Sequence, residues 1–172
     1  MSRKTYTGLI TELDENQVFV FGSNMYGFHG GGSAGFATFG KDGNWRASNY
    51  HLQPNGFKGE WNEKGIGEGI QFGTIGKSYA IPTVYRAGQP HSRTKEQICF
   101  CIDKFYSFAL QCEKWEFLVA YTAEGRNLNG YSNQEMADMF YNDGNIPDNI
   151  VFESGFNDLV FNNRTAFDVE DI

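Results

Sequence analysis

The chain has 172 residues, enough for a single domain with a sizeable core, since domains usually run to ~100–200 residues. Lys+Arg 14 against Asp+Glu 21 leaves a net charge of −7, which repels a polyanionic duplex and argues against DNA or RNA as the main partner. A small nucleotide remains admissible, because backbone N–H groups and a helix N-terminus hold phosphate without net positive charge.

Residues 1–17 lack the uninterrupted apolar stretch of ~7–15 residues that a signal peptide needs, and no run approaches the ~18 residues of a membrane span. The expectation is a cytoplasmic, reduced protein with no membrane partner. Cys99, Cys101 and Cys112 are odd in number and fall in one predicted helix, where they read as small core residues. The combination of 21 Gly with 16 Phe implies many special backbone positions around an aromatic core.

In chain order, Gln17 to Phe21 (QVFVF) is a short apolar β-rich run that reads as a central strand buried on both faces. A glycine-dense loop follows from Gly22, and Ser33 to Ala37 supplies the first turns of a helix. Residues Lys41 to Gly76 show no sustained periodicity and read as a long ordered insertion or flap with room for one short strand. Ser78 to Thr83 is the next strand, with Pro82 near its end. Thr94 with Gln97 signals a capping box, and Ile98, Cys101, Ile102, Phe105, Phe108, Ala109 and Cys112 recur at helical spacing. Phe117 to Thr122 is another strand. After the loop AEGRNLNGY, Ser132 and Glu135 open a second capped helix through Met136, Met139 and Phe140. Ile150 to Phe152 forms a final strand, and the acidic stretch Asp168 to Asp171 reads as a solvated terminus.

Strands alternating with helices imply a three-layer α/β fold, in which ligands bind at the carboxyl ends of the strands. Two loops lie there: Gly22 to Gly32 and Ala123 to Tyr131. Gly30-Gly31-Gly32 lets a ligand approach the backbone and can form an anion-binding concavity before a helix, or can simply make a tight turn. It is not a P-loop, because no Gly-Lys-Ser/Thr follows, and the dinucleotide fingerprint GxGxxG is absent at the strand–turn–helix position.

The segment VFVFGSNMYGFHGGGSAGFA resembles the macrodomain signature, in which a strand ends in Asn and a glycine run precedes a helix. With SYAIPT at Ser78 to Thr83 and a second loop ending in Gly130-Tyr131, it is most similar to the small macro-like proteins of bacteria and phages. The likeness spans about residues 17–36, 76–84 and 117–152. It implies an α/β/α sandwich with a mixed central sheet and a cleft for ADP-ribose or a related nucleotide, free or attached to protein. By position, Gly22, Ser23 and Asn24 would line the cleft with Asn24 on the distal ribose. Gly30, Gly31 and Gly32 would line the pyrophosphate, and Thr122, Gly125, Arg126, Asn129, Gly130 and Tyr131 would form the opposing clamp. Asn24 could equally serve a left-handed turn, and Tyr131 could be a core aromatic.

Two departures from that resemblance concern catalysis. Ala34 stands where de-ADP-ribosylating members often carry Asp, and Val84 stands where another branch carries a nucleophilic Lys. The remaining candidates for proton transfer are Glu124 and His29, each with a bland alternative as a solvated charge and a backbone-satisfied loop residue. Arg126 beside Glu124 could neutralise it or pair with phosphate. His91 and Ser92 are not a hydrolase pair, since no third member or nucleophile elbow can be assigned. His29, His51 and His91 are isolated in sequence, so neither a metal site nor a cofactor follows. Two functions therefore stand side by side. One is an enzyme that cleaves an ADP-ribosyl or phosphate linkage; the other is a non-catalytic module that recognises or sequesters ADP-ribose derivatives or ADP-ribosylated protein.

Overall fold

In the computed structural model the described residues are 3–27, 29, 32–40, 66–73, 75–86 and 88–161. The first strand, β1 (Thr5–Tyr6), is followed by β2 (Gln17–Asn24), helix α1 (Gly32–Phe39), β3 (Gly69–Gly73) and β4 (Gly76–Val84). Then come α2 (Lys95–Gln111), β5 (Glu116–Val119), α3 (Asn133–Tyr141), β6 (Ile150–Glu153) and a helix, α4, over 154–161.

The six strands form one sheet in the order β1-β6-β5-β2-β4-β3. All neighbours are parallel except the β3–β4 pair at one edge. β2 lies between β5 and β4, and its sequence follows from that place. Val18 and Val20 go to one face and Phe19 and Phe21 to the other, all buried, because a parallel strand covered on both sides has no solvent face. The Val18–Val20 face meets Ile98, Ile102 and Phe105 of α2, Met136 and Phe140 of α3, and Phe156 and Val160 of α4. On the opposite face Phe19 and Phe21 pack with Ala37 of α1 and with Ile10, Leu13 and Phe36. This gives the α/β/α layering.

Both expected capping boxes form. Thr94 Oγ1 accepts from Gln97 N while Gln97 Oε1 accepts from Thr94 N, and Ser132 and Glu135 do the same for α3. The two helix starts are joined by an ion pair between Lys95 Nζ and Glu135 Oε2 at 2.7 Å. β3 falls within the stretch read as an insertion; the rest of that stretch at 41–65 lies outside the described residues. Among the described residues no helix is long and apolar enough to cross a membrane.

Candidate functional site

β2 and β5 are parallel neighbours whose onward connections leave on opposite faces of the sheet, through α1 from β2 and α3 from β5. Their carboxyl ends therefore flank a topological switch point, the place where open α/β sheets hold ligands.

The end of β2 is built to stay fixed. Gly22 is required by a close approach: a Cβ there would lie 2.5 Å from Tyr121 Oη and 3.2 Å from Thr83 Oγ1. Tyr121 is buried just beyond β5, and burial pushes its hydroxyl up to about 12 against the opposing effect of a hydrogen bond with Thr83. Gly22, Tyr121 and Thr83 thus pack against one another across three adjacent strands at this end of the sheet. Ser23 is buried on the other face, its hydroxyl donating to Gly67 O. Asn24 is buried and its Oδ1 accepts from Tyr26 N at 3.1 Å, an Asx turn, while its carbonyl accepts from Gly27 N at 3.1 Å.

His29 is completely buried. Its Nε2 lies 3.0 Å from Ile66 O, so that nitrogen must donate, and its Nδ1 then accepts from Thr38 Oγ1 at 2.5 Å. Phe21 meets the ring edge-on at 5.0 Å. Burial pushes His29 down to about 4, partly opposed by the Ile66 carbonyl, so the ring is neutral near pH 7. Both nitrogens are spent inside the fold, where they tie the loop after β2 to α1 and to the approach to β3. Gly30 and Gly31 lie outside the described residues. Gly32 opens α1 at φ +58 with nothing within 4 Å of the Cβ position.

The opposing loop runs from Ala120 to Ser132. Thr122 Oγ1 accepts from Glu124 N at 3.3 Å and donates to Glu124 O at 2.8 Å, pinning the backbone and leaving the Glu124 carboxylate exposed. Gly125 takes φ +88 in open space. Arg126 is exposed and, among the described residues, has no carboxylate partner, so the Glu124–Arg126 ion pair does not form. Asparagines stiffen the rest of the loop. Asn129 is buried with Oδ1 on Tyr131 N at 2.9 Å, Asn127 Nδ2 donates to Tyr131 O, and Asn133 Nδ2 donates to Ala123 O and Gly125 O. Gly130 has φ +88, and a Cβ there would lie 2.7 Å from the His91 ring. Tyr131 is buried, donates to Arg93 O at 2.6 Å and meets His91 edge-on at 4.7 Å.

Gly32, Thr122, Glu124, Gly125 and Arg126 are thus accessible in the two loops, whereas Gly22, Ser23, Asn24, Asn129 and Tyr131 hold those loops in place and His29 is enclosed. Ala34 and Val84 are both packing residues: Ala34 lies against the Phe19–Phe21 cluster and Val84 is buried opposite Asn24. Tyr121, Tyr26 and Tyr85 were not read from the sequence as part of this end of the molecule. Their signal was positional, each standing one or two residues beyond a strand that points into the crevice.

No family model matches the chain, and no curated protein matches it. A mutant macrodomain from Oceanobacillus iheyensis matches in structure with a TM-score of 0.51 at 17% identity, over 98% of this chain and 93% of that one. Nearly all of both chains takes part in that match, and the sheet is mixed and layered by helices on both faces: the chain has a macrodomain-like fold.

Proposed function

We propose that the protein binds ADP-ribose or a close derivative in the crevice between the loop after β2 and the loop after β5. The observation that supports this most directly is that Arg126, on the loop after β5 at the switch point, has no carboxylate partner among the described residues, in a chain of net charge −7. An acidic protein that leaves a guanidinium without a carboxylate at a ligand-binding position favours an anionic guest. The start of α1 adds backbone amides and the positive end of a helix dipole on the other side. Gly30 and Gly31 belong to this reading as pyrophosphate-lining positions.

Binding without turnover is the form of this function the residues support better. Ala34 and Val84 offer no proton-transfer or nucleophilic group, and His29 has no free nitrogen. If bonds are broken, the proton falls to Glu124, the carboxylate exposed on the crevice loop. Calorimetric titration tests the reading. ADP-ribose should bind and adenine should bind far more weakly, and Arg126→Glu should weaken ADP-ribose at least about tenfold without lowering the unfolding midpoint. No heat and no competition from any ADP-ribose-type compound would end it.

A further inference from the structure

On the β4 side of the proposed site stands a group of side chains to which the nucleotide reading assigns no role. Met25 and Tyr26 directly follow β2, and Tyr85 and Arg86 directly follow β4. Met25 N donates to Tyr85 O at 3.2 Å, which clamps the two segments together. The Tyr26 and Tyr85 hydroxyls are hydrogen-bonded at 3.1 Å and their rings meet edge-on at 5.4 Å. Arg86 lies over the Tyr26 ring, with Cζ 4.7 Å from the centroid, and donates to the Tyr26 hydroxyl at 3.3 Å. Its pKa is raised, first by that hydrogen bond, so its charge is secure. Behind them Arg93 donates to Met25 Sδ and Cys101 Sγ.

Two properties of this group point to its use. The first is charge: among the described residues the ion pairs are Lys4–Glu116, Lys95–Glu135 and Lys104–Glu68, and neither Arg86 nor Arg93 has a carboxylate partner. The second is shape and composition. Met25 is 45% and Tyr85 48% exposed, and Tyr, Arg and Met are the residue types enriched where proteins meet proteins. Stacking on Tyr26 holds the Arg86 fork in a fixed pose, which suits bidentate capture of a carboxylate.

We propose that Met25, Tyr26, Tyr85 and Arg86 form a docking surface for an acidic, carboxylate-bearing segment of a partner protein, beside the crevice and independent of what the crevice holds. The test is an amide-shift titration of the whole chain with a glutamate-rich peptide and its glutamine counterpart, alongside ADP-ribose titrations of the same variants. The glutamate peptide should saturate the Tyr26, Tyr85 and Arg86 amides and bind at least about tenfold tighter than the glutamine peptide. Arg86→Glu should abolish that preference and Arg86→Lys should retain part of it, with ADP-ribose affinity within about twofold of wild type in both. Equal binding of the two peptides, no saturable shift, or saturation of these amides by inorganic pyrophosphate and not by the peptide would overturn the proposal. Peptide binding that persists when ADP-ribose fails to bind would sink the nucleotide reading and leave this one standing.

Discussion

His29 makes stability depend on pH in a calculable way. Burial holds its folded pKa at about 4 against an ordinary 6.5. As pH falls below 6.5 the unfolded chain takes up a proton that the folded chain refuses until about pH 4, so unfolding becomes easier across that window. The contribution is fully present above about pH 6.5 and lost as pH falls through about 4, and it amounts to about 3 kcal/mol. Urea midpoints across that range should fall more steeply for the wild type than for His29→Gln, which carries no titrating ring. Gly130 gives a second residue-scale expectation. Alanine there would combine φ +88 with a collision against His91 and Pro90, costing about 2 kcal/mol and loosening the crevice loop; denaturant unfolding and ADP-ribose titration should move together. For any turnover, Glu124→Gln should slow product formation about a hundredfold with affinity within a few-fold, measured by nucleotide product analysis.

At the scale of elements, Asn149 has a wide reach. Its Nδ2 lies within hydrogen-bond distance of Ala109 O, Cys112 O and Trp115 O, so the residue before β6 fixes the end of α2 to the approach to β5. Asn149→Ala should cost about 1–2 kcal/mol and expose the last turn of α2, seen as faster hydrogen exchange at the Cys112 amide. α2 and α3 were legible in the sequence because their signals are local: Thr94 with Gln97, Ser132 with Glu135, and apolar spacing between. β2, β4, β5 and β6 were legible as apolar runs. β1 was not, because two residues carry no period and Thr5–Tyr6 is a strand only by pairing with β6 and by the Tyr6 hydroxyl on Val119 O at 2.8 Å. β3 was legible only as room for one short strand between Lys41 and Gly76, its bounds blurred by glycine at both ends, and α4 is only two turns long with Phe156 and Val160 as its core residues. At the candidate site, the sequence marked the two loops that follow β2 and β5, but not the contacts each residue makes there. Nothing in the type or position of His29 tells that Thr38 and Ile66 would occupy both of its nitrogens, and nothing around Gly22 tells that Tyr121 would arrive above it.

For the whole molecule, a ligand confined to the native state stabilises it by mass action. If the proposed reading holds, ADP-ribose at 100 times its dissociation constant should add about 2.7 kcal/mol, raising the unfolding temperature of a chain this long by about 5–10 °C, and differential scanning fluorimetry would register it. The contacts of residues 66–73 and of Gly40 bear on a different property, the order in which parts of the molecule open. Ile66 and Gly67 are bonded to His29 and Ser23, a Cβ on Gly67 would press on Met25 O at 2.8 Å, and Gly73 lies hard against the Ala37 carbonyl of α1. On the other side Gly40 N closes α1 onto Phe36 O at 2.7 Å. Gly40 and Ile66–Gly67 are therefore held by α1, by His29 and by the end of β2. Anchored in this way, Gly40 should exchange its amide on the timescale of α1 and not of a chain end, which native-state hydrogen exchange would show.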